Sequence, residues 1–135
     1  MISLDQLNDN RLPFSELLGI RFVAAELDRV VAELVIREEH CTHGGIAHGG
    51  VIMAFADTLG ANGTILNLPD GMRTTTIESK TNFLGGAPVG TLLIGESTPL
   101  HRGNTTMVWQ TRISTEAGRL TAMVTQTQFV FSPKA

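Results

Sequence analysis

Asp57 is the only Asp, Glu, Lys or Arg between His40 and Pro69. A carboxylate set among apolar and small residues costs several kcal/mol unless it is paired, solvated at a cleft, or protonated. Two readings follow. Asp57 is an interfacial carboxylate hydrogen-bonded to a neighbouring helix or backbone, or it is a reacting group, since perturbed carboxylates concentrate at functional sites. Eight residues upstream, positions 43–50 read His-Gly-Gly-Ile-Ala-His-Gly-Gly, and helical spacing begins at about Gly49. Glycines there let a ligand approach the free N–H groups of a first helical turn, where the dipole favours negative charge. Such donors can hold the oxyanion of an acyl-transfer intermediate. The plainer alternative is a glycine-rich turn or a close helix–sheet contact. A polarising helix start followed by an isolated carboxylate is a pattern suited to acyl transfer.

Other constellations carry less. His40, His43 and His48 lie in or beside a glycine-rich turn, without the cysteine pair or helical His/carboxylate motif of a metal site, so no metal is expected. Cys41 and His43 are two residues apart and rarely aim at each other; Cys41 reads as a small hydrophobe. The chain lacks a Gly-x-Ser-x-Gly elbow and a Walker loop. Residues 85–90 (GGAPVG) read as a hairpin turn rather than a dinucleotide loop, because no helix pattern follows. Trp109 and Phe129 fall in strand patterns and read as core.

The elements that must hold Asp57 are legible from periodicity. Val51, Ile52, Phe55 and Leu59 recur at helix spacing within residues 49–66, and Ala54, Ala56 and Ala61 add propensity. Nearly every face is apolar or small, which predicts a helix covered on all sides. Residues 13–18 (PFSELL) suit a short helix with Pro13 in its first turn and Gly19 after its end. Residues 29–37 alternate as a strand. After Thr74, turn signals divide a Thr/Val/Ile/Phe-rich half into segments 74–84, 91–100, 105–114 and 119–131, joined by short hairpin-type loops. The expectation is an α+β domain over residues 1–135: one long helix against a curved, five-stranded, mostly antiparallel sheet. Long edge strands and apolar residues on both sheet faces predict an oligomer.

Composition narrows the partners. The chain has 135 residues, ten Lys plus Arg, thirteen Asp plus Glu and a net charge of −3. There is no basic excess to follow a phosphate backbone, which argues against nucleic acid. One cysteine excludes an internal disulfide framework and fits a reducing, cytoplasmic compartment. Met1 to Arg11 lacks the apolar run of a signal peptide, and the glycine-rich His40–Pro69 stretch is no membrane span.

The run 43–60 (HGGIAHGGVIMAFADTLG) resembles the hot-dog-fold acyl-CoA thioesterases, in particular the phenylacetate-pathway (PaaI-like) branch. The resemblance extends over nearly the whole chain, through 13–20 (PFSELLGI), 74–84 (TTTIESKTNFL), the hairpin at His101-Arg102-Gly103-Asn104 and the strand after Gly118-Arg119-Leu120. It implies Asp57 as the catalytic carboxylate, and the Gly49 N–H, with or without Gly50, as the group that polarises the thioester carbonyl. His48 would stand beside it, and Thr76 would supply a strand hydroxyl that positions the attacking water. Thr42 departs from the pattern, occupying a position where relatives commonly carry Asn or Gln.

Thioester hydrolysis asks for carbonyl polarisation and an activated water or carboxylate nucleophile, with no metal or redox cofactor. The expected activity is hydrolysis of aryl-acyl or medium-chain acyl-CoA to free acid and CoA. Asp57 would act as general base or nucleophile. Coenzyme A belongs to the substrate, and its polyanionic part would meet Arg102 and Arg119, which otherwise read as solvated charges. The alternatives are a non-catalytic acyl-CoA binding or sensing module and a hot-dog dehydratase. Helix geometry adds that Gly49 and Asp57 lie about 12 Å apart along one axis, too far to share one carbonyl. A homodimer, or a tetramer of such dimers, would pair Gly49 of one chain with Asp57 of the other.

Overall fold

The computed structural model describes residues 1–134. Two short helices, α1 (Leu4–Asp9) and α2 (Pro13–Leu18), lead into strands β1 (Arg21–Glu26) and β2 (Arg29–Val35). The long helix α3 (Gly49–Asn67) follows, and then β3 (Arg73–Phe83), β4 (Leu92–Arg102), β5 (Thr106–Thr115) and β6 (Leu120–Phe131). All six strands form one antiparallel sheet in the order β1-β2-β4-β5-β6-β3. This is the expected α+β architecture, a long helix laid against the sheet.

The strand count is six rather than five, because Arg21–Glu26 pairs with β2 through a hairpin at Leu27-Asp28. Its sequence, RFVAAE, has two alanines and a register shift between Phe22 and Ala24, which blunt the alternation of a strand. The 85–90 segment is not a hairpin turn. It carries the chain from β3, on one edge beside β6, across to β4, which pairs with β2. Along the way it ties down the loop before α3: the Ala47 N–H donates to the Ala87 carbonyl at 2.8 Å, and Ile46 bridges Pro88. Helix α1 was not anticipated either. A reciprocal cap starts it, with Gln6 N–H donating to Ser3 Oγ and Ser3 N–H donating to Gln6 Oε1 at 2.8 Å. Helix α2 falls on the expected residues, with Gly19 closing it at φ +85°.

Helix α3 begins at a histidine cap and stops before Pro69, where Leu68 turns extended, as a residue preceding proline does. Phe55, Ala56 and Leu59 are fully buried against the sheet, in a core with Val30, Leu34, Leu93, Ile113 and Val124. At the far end of the helix Trp109 packs on Gly63 and donates its indole N–H to Thr64 Oγ1 at 2.9 Å, inside the core. A Cβ at Gly63 would press on that ring at 2.8 Å, so a glycine is needed for the helix to lie this close. Among the described residues, no helix is long and apolar enough to cross a membrane.

Candidate active site

Strand β3 carries the first part of the site. It runs along α3 at the sheet edge, and its register against β6 slips at Ile77: Thr76 faces Gln128, while Glu78 faces Thr127. A bulge of one residue reverses which side chains point inward. Thr74 and Thr76 are the half-buried, inward residues before it, and Ser79 and Thr81 after it. Without the slip, Glu78 and Lys80 would turn toward the helix. The inward row of this strand is therefore entirely hydroxyl-bearing and uncharged.

Thr76 Oγ1 donates to Asp57 Oδ1 at 2.6 Å, across the helix–sheet contact. Gln128 Nε2 donates to Thr76 Oγ1 at 2.6 Å, and Thr74 Oγ1 donates to Gln128 Oε1 at 2.9 Å. Gln126 Nε2 adds longer bonds to Asp57 Oδ1 at 3.4 Å and to the Asp57 carbonyl at 3.3 Å. Both glutamines are fully buried. Gln126 reaches the helix because residue 60 is glycine; a Cβ there would overlap its amide. Asp57 is half-buried and makes no ion pair among the described residues. Its Oδ2 has no hydrogen-bond partner among the described residues, and it is not one of the buried atoms left without a partner, so this oxygen is open.

The start of α3 is the second part. His48 is the N-cap, and its Nδ1 accepts from the Gly50 N–H at 2.7 Å. An accepting Nδ1 leaves the neutral ring's proton on Nε2. Gly50 is thereby occupied and is not an open donor. The Gly49 N–H has no acceptor among the described residues and sits at the positive end of the helix dipole. The space is shaped by the glycines: a Cβ on Gly49 would meet the Phe83 ring at 3.2 Å, and one on Gly50 would meet His48 Nδ1 at 2.9 Å. Beside Gly49 a cavity of about 390 Å³ opens, lined by Ala47, Ile52, Phe83, Gly86, Ala87 and Thr121.

Not every candidate gathers here. Arg119 is not part of the cavity lining but is bonded to it, donating from Nη2 to the carbonyl of the lining residue Gly86 at 2.7 Å. Arg102 sits at the opposite end of α3, within 3.4 Å of Asn67 Oδ1, and is not brought near Gly49. Thr42 is exposed on the loop before the helix, its N–H held by the Ile46 carbonyl. His40 is buried at the base of this loop. Its Nδ1 accepts from the Arg37 N–H at 2.9 Å, its carbonyl accepts from the His48 N–H at 2.8 Å, and burial, aided by the Arg37 charge, lowers its pKa below the ordinary value. No group of three His, Cys, Asp or Glu side chains among the described residues is placed to share a metal.

Gln126, Gln128 and Thr74 escaped the sequence reading. One signal was present: the inward positions of β6 run Ala122, Val124, Gln126, Gln128, Val130, and two amides interrupt an apolar row. A buried amide must find partners, but its partner Asp57 is remote in sequence.

The arrangement offers one open carboxylate oxygen, which is able to activate water, and, about 12 Å away along the helix, one open backbone donor, which is able to stabilise an oxyanion. The sequence profile of the thioesterase superfamily matches residues 44–122. A Saccharolobus solfataricus protein assigned as an esterase is 31% identical over 117 residues, covering 87% of this chain and 82% of its own length. The 1,4-dihydroxy-2-naphthoyl-CoA hydrolase of Listeria monocytogenes is 27% identical over 105 residues, covering 78% of this chain and 85% of its own. Among solved structures, a thioesterase from Haemophilus influenzae superposes with a TM-score of 0.91 at 27% identity, over 98% of this chain and 92% of that one.

Proposed function

The chain belongs to the thioesterase superfamily, and from that premise we propose that it hydrolyses aryl-acyl or medium-chain acyl-CoA thioesters to the free acid and CoA. The observation that carries this reading is that the chain presents both an Asp57 Oδ2 and a Gly49 N–H that have no hydrogen-bond or ion-pair partner among the described residues. The naphthoyl-CoA hydrolase among its relatives supports the substrate class.

In the general-base form, Asp57 Oδ2 takes a proton from water as the water oxygen attacks the thioester carbonyl carbon. The carbonyl oxygen becomes an oxyanion held by the Gly49 N–H and the helix dipole. Collapse of the tetrahedral intermediate breaks the C–S bond, and the thiolate leaves to be protonated. In the nucleophilic form, Oδ2 attacks the carbonyl directly and water then opens the acyl anhydride. His48 serves either route indirectly: its ring takes the Gly50 N–H and its carbonyl takes those of Val51 and Ile52, so that Gly49 is the first-turn N–H left without an acceptor among the described residues. Arg119, bonded to Gly86 in the cavity wall, is the better-placed cation for the polyanionic part of CoA.

Gly49 and Asp57 of one chain remain about 12 Å apart along the helix, so the site needs a second copy. The face of α3 left unburied by its own sheet bears Gly50, Met53, Ala54, Asp57, Thr58 and Ala61, mostly small residues. Beside it runs β3, an open sheet edge. A two-fold partner laying its α3 antiparallel on this face would bring its Gly49 to Asp57, twice per dimer.

The test is a panel of CoA thioesters assayed for thiol release with wild type and Asp57→Asn. Asn keeps an oxygen where Thr76 and Gln126 donate, so the fold should persist, while kcat falls by at least about 100-fold with little change in KM. Tight acyl-CoA binding without thiol release from the wild type would favour a sensing module instead.

A further inference from the structure

The four polar side chains behind Asp57 have a fixed direction. The Thr76 hydroxyl has one proton, and a carboxylate oxygen such as Asp57 Oδ1, 2.6 Å away, can only accept, so that proton points to Asp57. The Thr76 oxygen must then accept, which requires Gln128 to present its NH2 and not its carbonyl, at 2.6 Å. The carbonyl of Gln128 in turn faces the Thr74 hydroxyl at 2.9 Å, which donates to it. The proton order runs Thr74 to Gln128 to Thr76 to Asp57 without a conflict. Gln126 adds a weaker second donor to the same Oδ1.

We propose that Gln128 is a positioning residue for the hydrolysis. It holds the Thr76 hydroxyl on Asp57 Oδ1, and so leaves Oδ2 as the one oxygen that reacts with water or the thioester carbon. Thr74 fixes the Gln128 amide against rotation. Fully buried, Gln128 is shielded from water that would otherwise compete for these bonds. The inference rests on the functional reading above, and it adds which carboxylate oxygen works and what selects it.

The test is a double-mutant cycle with Thr76→Val and Gln128→Met, read as kcat and KM for an aryl-acyl-CoA such as benzoyl-CoA. In the wild-type background Gln128→Met should lower kcat about 10-fold and leave KM within about 2-fold. In the Thr76→Val background the same change should cost less than about 2-fold, because Gln128 acts only through that hydroxyl. Equal losses in both backgrounds, or a loss confined to KM, would overturn the proposal, since a packing role is indifferent to residue 76. If Gln128→Met does not fold, Thr74→Val replaces it, with a loss of about 3-fold that again vanishes without the Thr76 hydroxyl. A second readout needs no turnover: in the proton NMR spectrum of the wild type, the Gln128 amide protons should show a cross-peak to the Thr76 hydroxyl proton. Cross-peaks to Thr74 in its place would mean a reversed amide and would overturn the relay. A wild type inactive on every thioester would sink the function, and the NMR result would then decide the relay alone.

Discussion

Replacing Thr76 by Val removes one hydroxyl and keeps the β-branched shape that a strand prefers. Two bonds are lost. The first is the 2.6 Å bond to Asp57 Oδ1, charge-assisted and worth about 1.5–3 kcal/mol. If that bond is needed to keep Oδ2 aimed, the loss appears in kcat, at about 1.4 kcal/mol per tenfold, as roughly 10- to 100-fold. The second is the acceptor of the buried Gln128 Nε2, and leaving such a donor unpaired costs about 1–3 kcal/mol of stability. For a domain of this size that corresponds to a fall of roughly 3–15 °C in Tm. The assay is steady-state thiol release beside thermal unfolding, with Thr76→Ser as the control that retains the hydroxyl. Thr76→Val should lose turnover at nearly constant KM, and Thr76→Ser should keep most of it. A Val variant within about 2-fold of wild type, or a Ser variant as slow as Val, would refute the reasoning.

Three further outcomes are expected. Gly60→Ala places a methyl group in the Gln126 amide, so unfolding should occur at lower denaturant by about 1–3 kcal/mol, and an unchanged midpoint would mean that Gln126 moves aside freely. Buried His40 titrates below its ordinary value of 6.5, so its contribution to stability is fully present above about pH 6.5 and is lost as pH falls through the lower folded pKa; urea midpoints at pH 7.5 and 5.5 should therefore differ more for wild type than for His40→Asn. Arg119→Ala should raise KM for CoA esters and flatten its salt dependence more than Arg102→Ala does, because Arg119 is bonded to Gly86 in the cavity wall whereas Arg102 lies by Asn67; equal effects at low ionic strength would contradict that placement.

The parts of this site that share a local signal were legible in the sequence. Asp57 was visible as the lone charge of an uncharged stretch, and Gly49 with His48 as a glycine-rich helix start. Their element, expected at 49–66, is found at Gly49–Asn67. Thr76 came from the family resemblance, and the structure places it on Asp57. What was not legible depends on pairings distant in the chain. Glycines 85, 86 and 90 give the same local signal for a hairpin as for the crossover they make, and only the β3–β6 register distinguishes the two. The bulge at Ile77 likewise exists only against β6, yet it decides that hydroxyls and not Glu78 and Lys80 face the helix. Strand β1 was missed because Ala24 and Ala25 carry little β signal. The open Gly49 donor was half-legible: its place in the first turn was readable, but not that the His48 ring takes the neighbouring Gly50 N–H.

The central claim is that one working site takes its donor from one chain and its carboxylate from another. Mixing two inactive chains tests it most directly: Asp57→Ala, without the carboxylate, and Gly49→Pro, without the donor. Proline suits this first helical position, since His48 at φ −63° and ψ 139° already has the conformation that precedes proline, and a Cβ here meets the half-exposed Phe83 ring first, at 3.2 Å. After the two are refolded together and mixed dimers are isolated, each such dimer should hold one site with both groups intact and regain up to about half of wild-type turnover per dimer. Mixed dimers that stay as inactive as their folded, dimeric parents would contradict the shared site.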